Sequence, residues 1–242
     1  RSIPAGDMLL SPTLSPDGKT LAVVNAGYTV NGIRWIDIES EKEITSITLP
    51  KTYSGVVFSP DGSHLFASAG SANPAQHIYK FDRQPDGKWL KVDGLKLTSS
   101  TPGITCVSSL SLSPDGSVLY ASNISDGKLY ALSASDGKEL FSLAVGDHPI
   151  DVALSPGGKS AWVACLGSEE VIEVLLNTPA ESKVGRRVKV GSHPNSLQLT
   201  KDGRLFVACG GSDNVSVIDT NTGLARESIR TSLGPKAPLG ST

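Results

Sequence analysis

The chain has 242 residues, of which 38% are hydrophobic, and its formal net charge at pH 7 is −2. This length and apolar fraction allow a substantial buried core. No basic block is present to neutralise phosphates, so the sequence does not predict nucleic-acid binding. No apolar run is long enough to predict a membrane-spanning helix.

One tetrapeptide, Ser-Pro-Asp-Gly, recurs along the chain in three intact and two altered copies. The intact copies begin at Ser15, Ser59 and Ser113, and the altered ones at Ser155 and Thr200. The start-to-start spacings are 44, 54, 42 and 45 residues. A unit that recurs every 40 to 50 residues or so indicates a propeller, a solenoid or an array.

Each copy lies between two predicted strands. Apolar residues two apart, with small or polar neighbours, predict a narrow inner strand before the turn. Pro presets φ, Asp bonds the local backbone and Gly accepts a positive φ, so the tetrapeptide predicts a hairpin turn. The second strands follow as nearly continuous apolar runs at 21–25, 65–69, 119–123, 161–165 and 205–209.

A third and a fourth strand complete each unit. The third strands are predicted at 33–38, 78–81, 129–132, 171–176 and 215–218, and the fourth at 44–49, 90–97, 140–145, 187–190 and 225–229. Four short antiparallel strands make one propeller blade. The sequence therefore predicts an all-β propeller with blades at about 8–50, 51–103, 104–146, 147–191 and 192–231. Residues 232–242 are expected to lead into a further blade, because Gly240-Ser-Thr resembles the Gly-x-x-Pro lead of earlier units.

Four residues are candidates for ligand binding. His148 and His193 precede Pro at the entrances of consecutive inner strands, which in a propeller lie at the rim of the central channel. Asp151 places a carboxylate near the predicted axis, and Asn195 lies beside His193. Two imidazoles there suit a metal or an anionic ligand. The alternative is that the histidines are ordinary surface residues and that Asp151 bonds backbone or water.

Catalytic and metal motifs are not found in the sequence. It contains no Gly-x-Ser-x-Gly, phosphate loop, His-Glu-x-x-His or Cys-x-x-Cys segment. We therefore predict no catalytic residue and no cofactor within this chain. The remaining chemistry-bearing side chains receive structural expectations: buried thiols for Cys165 and Cys209, exposed rings for His64 and His77, and packing between sheets for the tryptophans at 35, 89 and 162.

The repeat unit resembles the YVTN-type (YncE-like) bacterial β-propeller repeat. Ser15-Pro-Asp-Gly-Lys-Thr-Leu-Ala-Val-Val-Asn25 carries the first half of that repeat, and Val215-Ser-Val-Ile-Asp-Thr-Asn-Thr-Gly223 carries the second. The likeness extends from about residue 10 to residue 229. It implies a seven-bladed ring. Because an incomplete ring exposes strand edges, we expect a second segment or chain to supply the remaining blades; the alternative is that the five blades close by themselves. The likeness also implies a periplasmic or secreted location.

A narrower likeness involves Pro4-Ala-Gly6, Asn25-Ala-Gly-Tyr28 and the segment Tyr53 to Gly62. These are similar to the N-terminal propeller of bacterial proteins that carry a C-terminal phosphoesterase domain of the alkaline phosphatase superfamily. That resemblance would place every catalytic metal ligand beyond Thr242.

Three functions fit the sequence. The first is a non-catalytic module that binds an unidentified small molecule or protein. The second is the propeller portion of a phosphoesterase. The third is a lactonase-like enzyme, which cleaves a cyclic ester at the central channel; within this chain a divalent cation is expected only under this third function, near Asp151 and the paired histidines.

Overall fold

The computed structural model describes residues 6–27, 30–69, 76–98, 100, 105–232 and 234. Within these residues the regular structure is twenty β-strands and no helix. The strands form five four-stranded antiparallel sheets, each built from strands consecutive in sequence. The all-β prediction is therefore confirmed.

Each sheet uses its four strands in chain order. The first contains β1 (Leu9–Leu14), β2 (Thr20–Asn25), β3 (Gly32–Asp37) and β4 (Lys42–Thr48). The second contains β5 (Val56–Phe58), β6 (His64–Ser68), β7 (Ile78–Arg83) and β8 (Trp89–Leu95). The third contains β9 (Val107–Leu112), β10 (Val118–Asn123), β11 (Lys128–Ser133) and β12 (Glu139–Ala144). The fourth contains β13 (Pro149–Leu154), β14 (Ser160–Cys165), β15 (Glu170–Leu175) and β16 (Lys183–Lys189). The fifth contains β17 (Pro194–Leu199), β18 (Arg204–Cys209), β19 (Asn214–Asp219) and β20 (Leu224–Arg230).

The predicted second and third strands match these bounds to within two residues. The largest error among the fourth strands is in β16, which begins at Lys183 although 187 was predicted. Its first half, Lys-Val-Gly-Arg, has no apolar alternation, and its pairing with β15 shifts between Ile172 and Val174. A polar strand with a bulge carries little of the period-two signal. The predicted lead at 232–242 lies outside the described residues except for 232 and 234.

The chain divides into two compact units, residues 1–121 with 132–139 and residues 122–131 with 140–242. The first two sheets lie in the first unit, and the fourth and fifth sheets lie in the second.

The repeated tetrapeptide closes its turn with its own side chains. Ser15 Oγ donates to Asp17 Oδ1 at 2.6 Å and accepts from Thr20 N at 2.9 Å, while Lys19 N donates to Asp17 Oδ1 at 3.1 Å. Gly18 takes φ 71°, the left-handed region that glycine tolerates. The copies at 59 and 113 form the same bonds. Ser, Asp and Gly recur together because the Ser and Asp side chains satisfy the polar groups of the turn, and Gly adopts the positive φ that the turn requires.

Aromatic residues fill the space between sheets in the first unit. The Trp35 ring on β3 stacks on Trp89 of β8, with ring centroids 5.7 Å apart, and meets Phe81 of β7 edge-on at 5.6 Å. Trp35 and Phe81 are completely buried. Burial of one such side chain contributes roughly 1.5–3 kcal/mol. In the second unit, Trp162 on β14 packs with Leu205 and other buried residues of the fifth sheet. The predicted role of the tryptophans is confirmed.

Candidate functional site

Both predicted rim histidines are exposed and adopt a left-handed backbone. His148 has φ 51° and His193 has φ 53°, a region that costs a non-glycine residue on the order of 1 kcal/mol. Backbone hydrogen bonds hold each one: Leu166 N donates to His148 O at 3.0 Å, and Gly210 N donates to His193 O at 3.1 Å. The two imidazoles therefore occupy equivalent, outward positions in the fourth and fifth sheets.

The surroundings of the two rings differ. His148 Nδ1 lies 2.6 Å from Asp147 Oδ1, in a pair that is open to solvent. The His193 ring lies against Gly211, where an added Cβ would come within 2.3 Å of Nδ1. Glycine at 211 thus leaves room for the imidazole. One imidazole is oriented by a neighbouring carboxylate and the other by backbone packing.

Asn195 is the unpaired residue of a β-bulge. The pairing of β17 with β18 shifts between Pro194 and Ser196, which leaves Asn195 outside the ladder and exposed. Its amide lies close to Gly210, the residue that also bonds His193. Bulges commonly redirect a side chain. Here the bulge places the Asn195 side chain near Gly210, at the same end of β17 as His193.

Asp151 is held by the backbone. Its Oδ1 accepts from Val152 N at 2.8 Å, and its Oδ2 accepts from Leu197 N at 2.8 Å. Leu197 belongs to β17, so this carboxylate joins the inner strands of the fourth and fifth sheets. The first unit uses hydroxyls in the same way, since Thr13 Oγ1 donates to Val56 O at 3.2 Å. Of the two interpretations of Asp151, the geometry favours a structural hydrogen-bonding role.

The described residues contain neither a metal-binding cluster nor a membrane-spanning helix. Over the described part of the chain, no group of three or more His, Cys, Asp or Glu side chains is placed to hold a metal ion. No helix within those ranges has the length and apolarity needed to cross a membrane. Cys165 and Cys209 are buried and form no disulfide there, and burial raises the pKa of the Cys165 thiol to about 12.

Sequence reasoning missed a pocket in the first unit, here named the Lys80 pocket. It has a volume of about 370 Å³ and lies between the second and third sheets at the end where the repeated turns are. It is lined by Ser59, His64, Phe66, Lys80, Gly116, Ser117, Ser133, Ala134 and Ser135.

Cross-strand pairing places the side chains of His64 and Lys80 on the same face of the second sheet. In the register of β6 and β7, His64 is opposite Asp82 and Phe66 is opposite Lys80. Residues 64 and 66 share one face of the strand, so both pairs face the same side. His64 Nδ1 lies 2.7 Å from Asp82 Oδ1. Carboxylate contact at Nδ1 directs Nε2 away from Asp82.

The expectation that His64 and His77 are exposed was wrong, because both are half-buried. His77 Nδ1 accepts a hydrogen bond from Leu97 N at 2.9 Å, and burial lowers its pKa. Asp82 lies 18 residues from His64, on the adjacent strand, and Leu97 lies 20 residues from His77, just after β8. Inspection of neighbouring sequence positions could not have found them.

Lys80 itself makes weak contacts. Its Nζ lies 5.7 Å from the centroid of the Phe66 ring, a cation–π distance, and 3.5 Å from Ala134 O. A donor–acceptor distance of 3.5 Å is at the outer limit of a hydrogen bond. Within the described residues this is its only hydrogen bond, and it forms no ion pair there. The ammonium group therefore has unused bonding capacity.

The second unit contains an equivalent place, the Trp162 pocket, of about 320 Å³ between the fourth and fifth sheets. Trp162 and Phe66 are both the third residue of a second strand, and Glu173 is opposite Trp162 as Lys80 is opposite Phe66. Thr220 corresponds to Ala134, because each donates its N–H to the turn before its second strand.

Arg186 lies beside this second pocket, where it contacts the lining residues Trp162, Thr220 and Asn221 and has a carboxylate partner. Its Nε and Nη2 donate to the two carboxylate oxygens of Glu173 at 2.6 Å each, and Nη2 also donates to Thr220 O at 2.8 Å. Its guanidinium lies 5.4 Å from the Trp162 ring centroid. The hydrogen bonds from Arg186 lower the pKa of Glu173, and Glu173 raises the pKa of Arg186. Each pocket thus has a cation over one of its aromatic rings, Lys80 within the first and Arg186 beside the second, but only Arg186 has a carboxylate partner.

Several solved structures resemble this chain. A protein from Lactobacillus plantarum aligns with a TM-score of 0.79 at 18% identity, over 96% of this chain and 73% of its own. The β-propeller domain of Swd1 from Myceliophteria thermophila aligns with a TM-score of 0.75 at 11% identity, over 92% of this chain and 73% of its own. The chain has a β-propeller fold.

A third structure is a candidate 6-phosphogluconolactonase from Bacteroides fragilis, with a TM-score of 0.72 at 21% identity, over 89% of this chain and 68% of its own. No protein-family model matches the chain, and no curated protein matches it. At these identities the likeness to solved propellers establishes the fold and leaves the activity to be argued from the residues.

Proposed function

We propose that this chain is part of a YVTN-type propeller that acts as a non-catalytic binding module outside the bacterial cytoplasm. His148, His193 and Asn195 form the proposed contact surface, called the rim surface below. The observation that carries the proposal is the pair of exposed imidazoles in left-handed backbone at equivalent positions. Strained, exposed polar residues concentrate at binding sites. Propeller loops of this kind commonly form binding surfaces.

The state of Asp151 supports a non-catalytic role. A general base must be able to reach a substrate proton. Both oxygens of Asp151 accept backbone N–H groups, and those bonds join two inner strands. Moving this carboxylate to a substrate would leave two partly buried backbone amides without these acceptors.

The rim surface is tested with the full-length protein in cells of its source organism. A photo-crosslinking amino acid at position 193 is compared with one at position 201, because Lys201 is exposed at the opposite end of β18. We expect a defined adduct from position 193 only, and we expect His148→Ala to reduce it. Equal adducts from both positions, or none from 193, would refute a contact surface at the rim. Osmotic-shock fractionation of the same cells tests the proposed location.

A lactonase-like enzyme is the second candidate, and the structural neighbours favour it. Candidate 6-phosphogluconolactonases from Bacteroides fragilis and Bacteroides uniformis share the fold at 21% identity each. Purified full-length protein would be assayed on 6-phosphogluconolactone with and without added Mg²⁺ or Ca²⁺. Turnover above the spontaneous rate that is lost in an Asp151→Asn protein shown by urea unfolding to remain folded would establish the lactonase and overturn the binding-module proposal. We expect no turnover above the spontaneous rate.

The missing blades and the phosphoesterase domain are separate proposals. The gene sequence beyond Thr242 tests both of them. Further Ser-Pro-Asp-Gly units would support the seven-bladed ring. A following domain rich in metal ligands would support the phosphoesterase arrangement.

A further inference from the structure

The two equivalent pockets differ in how their cation is neutralised. Arg186 is bonded to both oxygens of Glu173 and to a carbonyl of the next sheet. Lys80 has one long bond, to Ala134 O, and no ion pair among the described residues. The only carboxylate on its face of β7 is Asp82, which contacts His64. The second pocket supplies its own counter-charge, whereas the Lys80 pocket leaves room for one.

The polar groups around Lys80 point to the kind of counter-charge that fits. Lys80 Nζ retains unused protons, and His64 has no hydrogen bond from Nε2 to a described residue. Ser135, whose Oγ lies 3.0 Å from Ser133 Oγ, adds a hydroxyl from the opposite wall. His64 would donate from Nε2 in its imidazolium form, in which both ring nitrogens carry a proton. The three groups come from two different sheets. A tetrahedral oxoanion has oxygens in several directions, whereas a planar carboxylate does not. An ammonium group binds such an ion as a point charge.

The acidic residues nearby limit the affinity. Asp61 accepts the hydroxyl proton of Ser59, and Asp115 accepts those of Ser113 and Ser117; these bonds lower both pKa values to about 2. Asp136 lies in the same turn as Ser135. All three carboxylates are exposed, so solvent and salt screen their repulsion of an anion. We therefore expect a Kd in the millimolar range for a simple ion.

We propose that the Lys80 pocket binds a phosphate or sulfate group through Lys80, His64 and Ser135. The site is distinct from the rim surface and does not depend on the function proposed for it. A volume of about 370 Å³ exceeds that of a free ion, so the group would be carried by a small organic molecule. The alternative interpretation is structural: Lys80 covers the Phe66 ring and links two sheets through Ala134 O, and no anion binds.

Calorimetric titration of the protein with inorganic phosphate, sulfate and glucose 6-phosphate separates these alternatives. Lys80→Met keeps an unbranched chain over Phe66 and removes the charge. Lys91→Met is the matched control, because Lys91 Nζ lies 5.5 Å from the Tyr79 ring centroid on the neighbouring strand and lines no part of the pocket. We expect saturable binding that weakens about tenfold or more in Lys80→Met and less than about twofold in Lys91→Met.

Nuclear magnetic resonance of the unmodified protein gives a readout that needs no variant. Added phosphate should shift the ring signals of His64 and the amide of Ser135, while the ring of His77, in the same unit, should stay unchanged. Absence of saturation, equal loss in both lysine variants, or equal shifts of both histidines would overturn the proposal. Glucose 6-phosphate binding at least about tenfold tighter than phosphate would indicate an organic phosphate ligand. Equal affinities would indicate the free ion.

Discussion

Arg186→Met should destabilise the second unit substantially. The substitution removes four hydrogen bonds from the guanidinium, two to Glu173 and one each to Thr220 O and Asn221 O. The Glu173 side chain is only 7% exposed and would remain charged without a partner, whereas the Arg186 side chain is 39% exposed. Breaking a buried pair costs about 3–5 kcal/mol. Because water reaches part of this pair, we expect a loss of about 2–3 kcal/mol in the free energy of unfolding.

The double variant Glu173→Leu/Arg186→Met removes both charges together. Replacing a buried ion pair by apolar side chains is often neutral, so we expect this protein to lie within about 1 kcal/mol of the wild type. Urea unfolding at pH 7 measures all three proteins. Arg226→Met is the control, because Arg226 pairs with Asp219 on the surface, and we expect less than about 0.5 kcal/mol from it. The reasoning fails if Arg186→Met costs no more than the control, or if the double variant is as unstable as the single one.

The same pair makes stability depend on pH with a definite sign. Arg186 lowers the pKa of Glu173 below its ordinary value of 4.5, so the folded state holds that proton less tightly than the unfolded state. The stabilisation is therefore fully present above pH 4.5 and is lost as the pH falls through the folded-state pKa. The difference in free energy of unfolding between wild type and Glu173→Gln should be largest at pH 7 and should shrink below pH 4.5. A difference that grows on acidification would contradict this.

Three further outcomes are expected. Asp151→Asn leaves at least one backbone amide without its acceptor, so urea unfolding should show a loss of about 1–3 kcal/mol in the free energy of unfolding, and an unchanged midpoint would exclude the joining role. Hydrogen bonds from Ser59 and Ser63 lower the pKa of Asp61 to about 2, so its carboxyl carbon signal should titrate near pH 2, and in Ser59→Ala it should titrate at a higher pH. Ellman's reagent at pH 8 should leave Cys165 unmodified until urea is added, because burial raises its pKa to about 12, and labelling of that thiol in the native protein would refute its burial.

The strands were predictable because their signal is local. The Ser-Pro-Asp-Gly turn satisfies its own polar groups within six residues, from Ser15 to Thr20, so its sequence determines its geometry. The apolar second strands follow directly, and their bounds were predicted to within one residue. The start of β16 was missed because Gly185 and Arg186 interrupt the alternation.

The pocket was not predictable in this way because its parts come from distant positions. Lys80 and Ala134 are separated by 54 residues, and only the packing of two sheets brings them together. The sequence near His64 shows no partner for its ring, because Asp82 lies 18 residues away, on the adjacent strand. Strand register could have revealed part of the pocket. Pairing β6 with β7 places Phe66 opposite Lys80 and His64 opposite Asp82. The depth of the pocket and its access to solvent depend on the neighbouring sheet, so strand pairing within one sheet does not predict them.

The bulge at Asn195 confines the irregular pairing of β17 to one residue, which is useful for protein engineering. Before the bulge, Pro194 pairs with Cys209. After it, Ser196 to Leu199 pair in regular register with β18. The irregularity is thus absorbed at a single position, so the outward side chain can be exchanged without shifting either flank. Position 195 is accordingly a natural attachment point for a dye, a tether or a different recognition group.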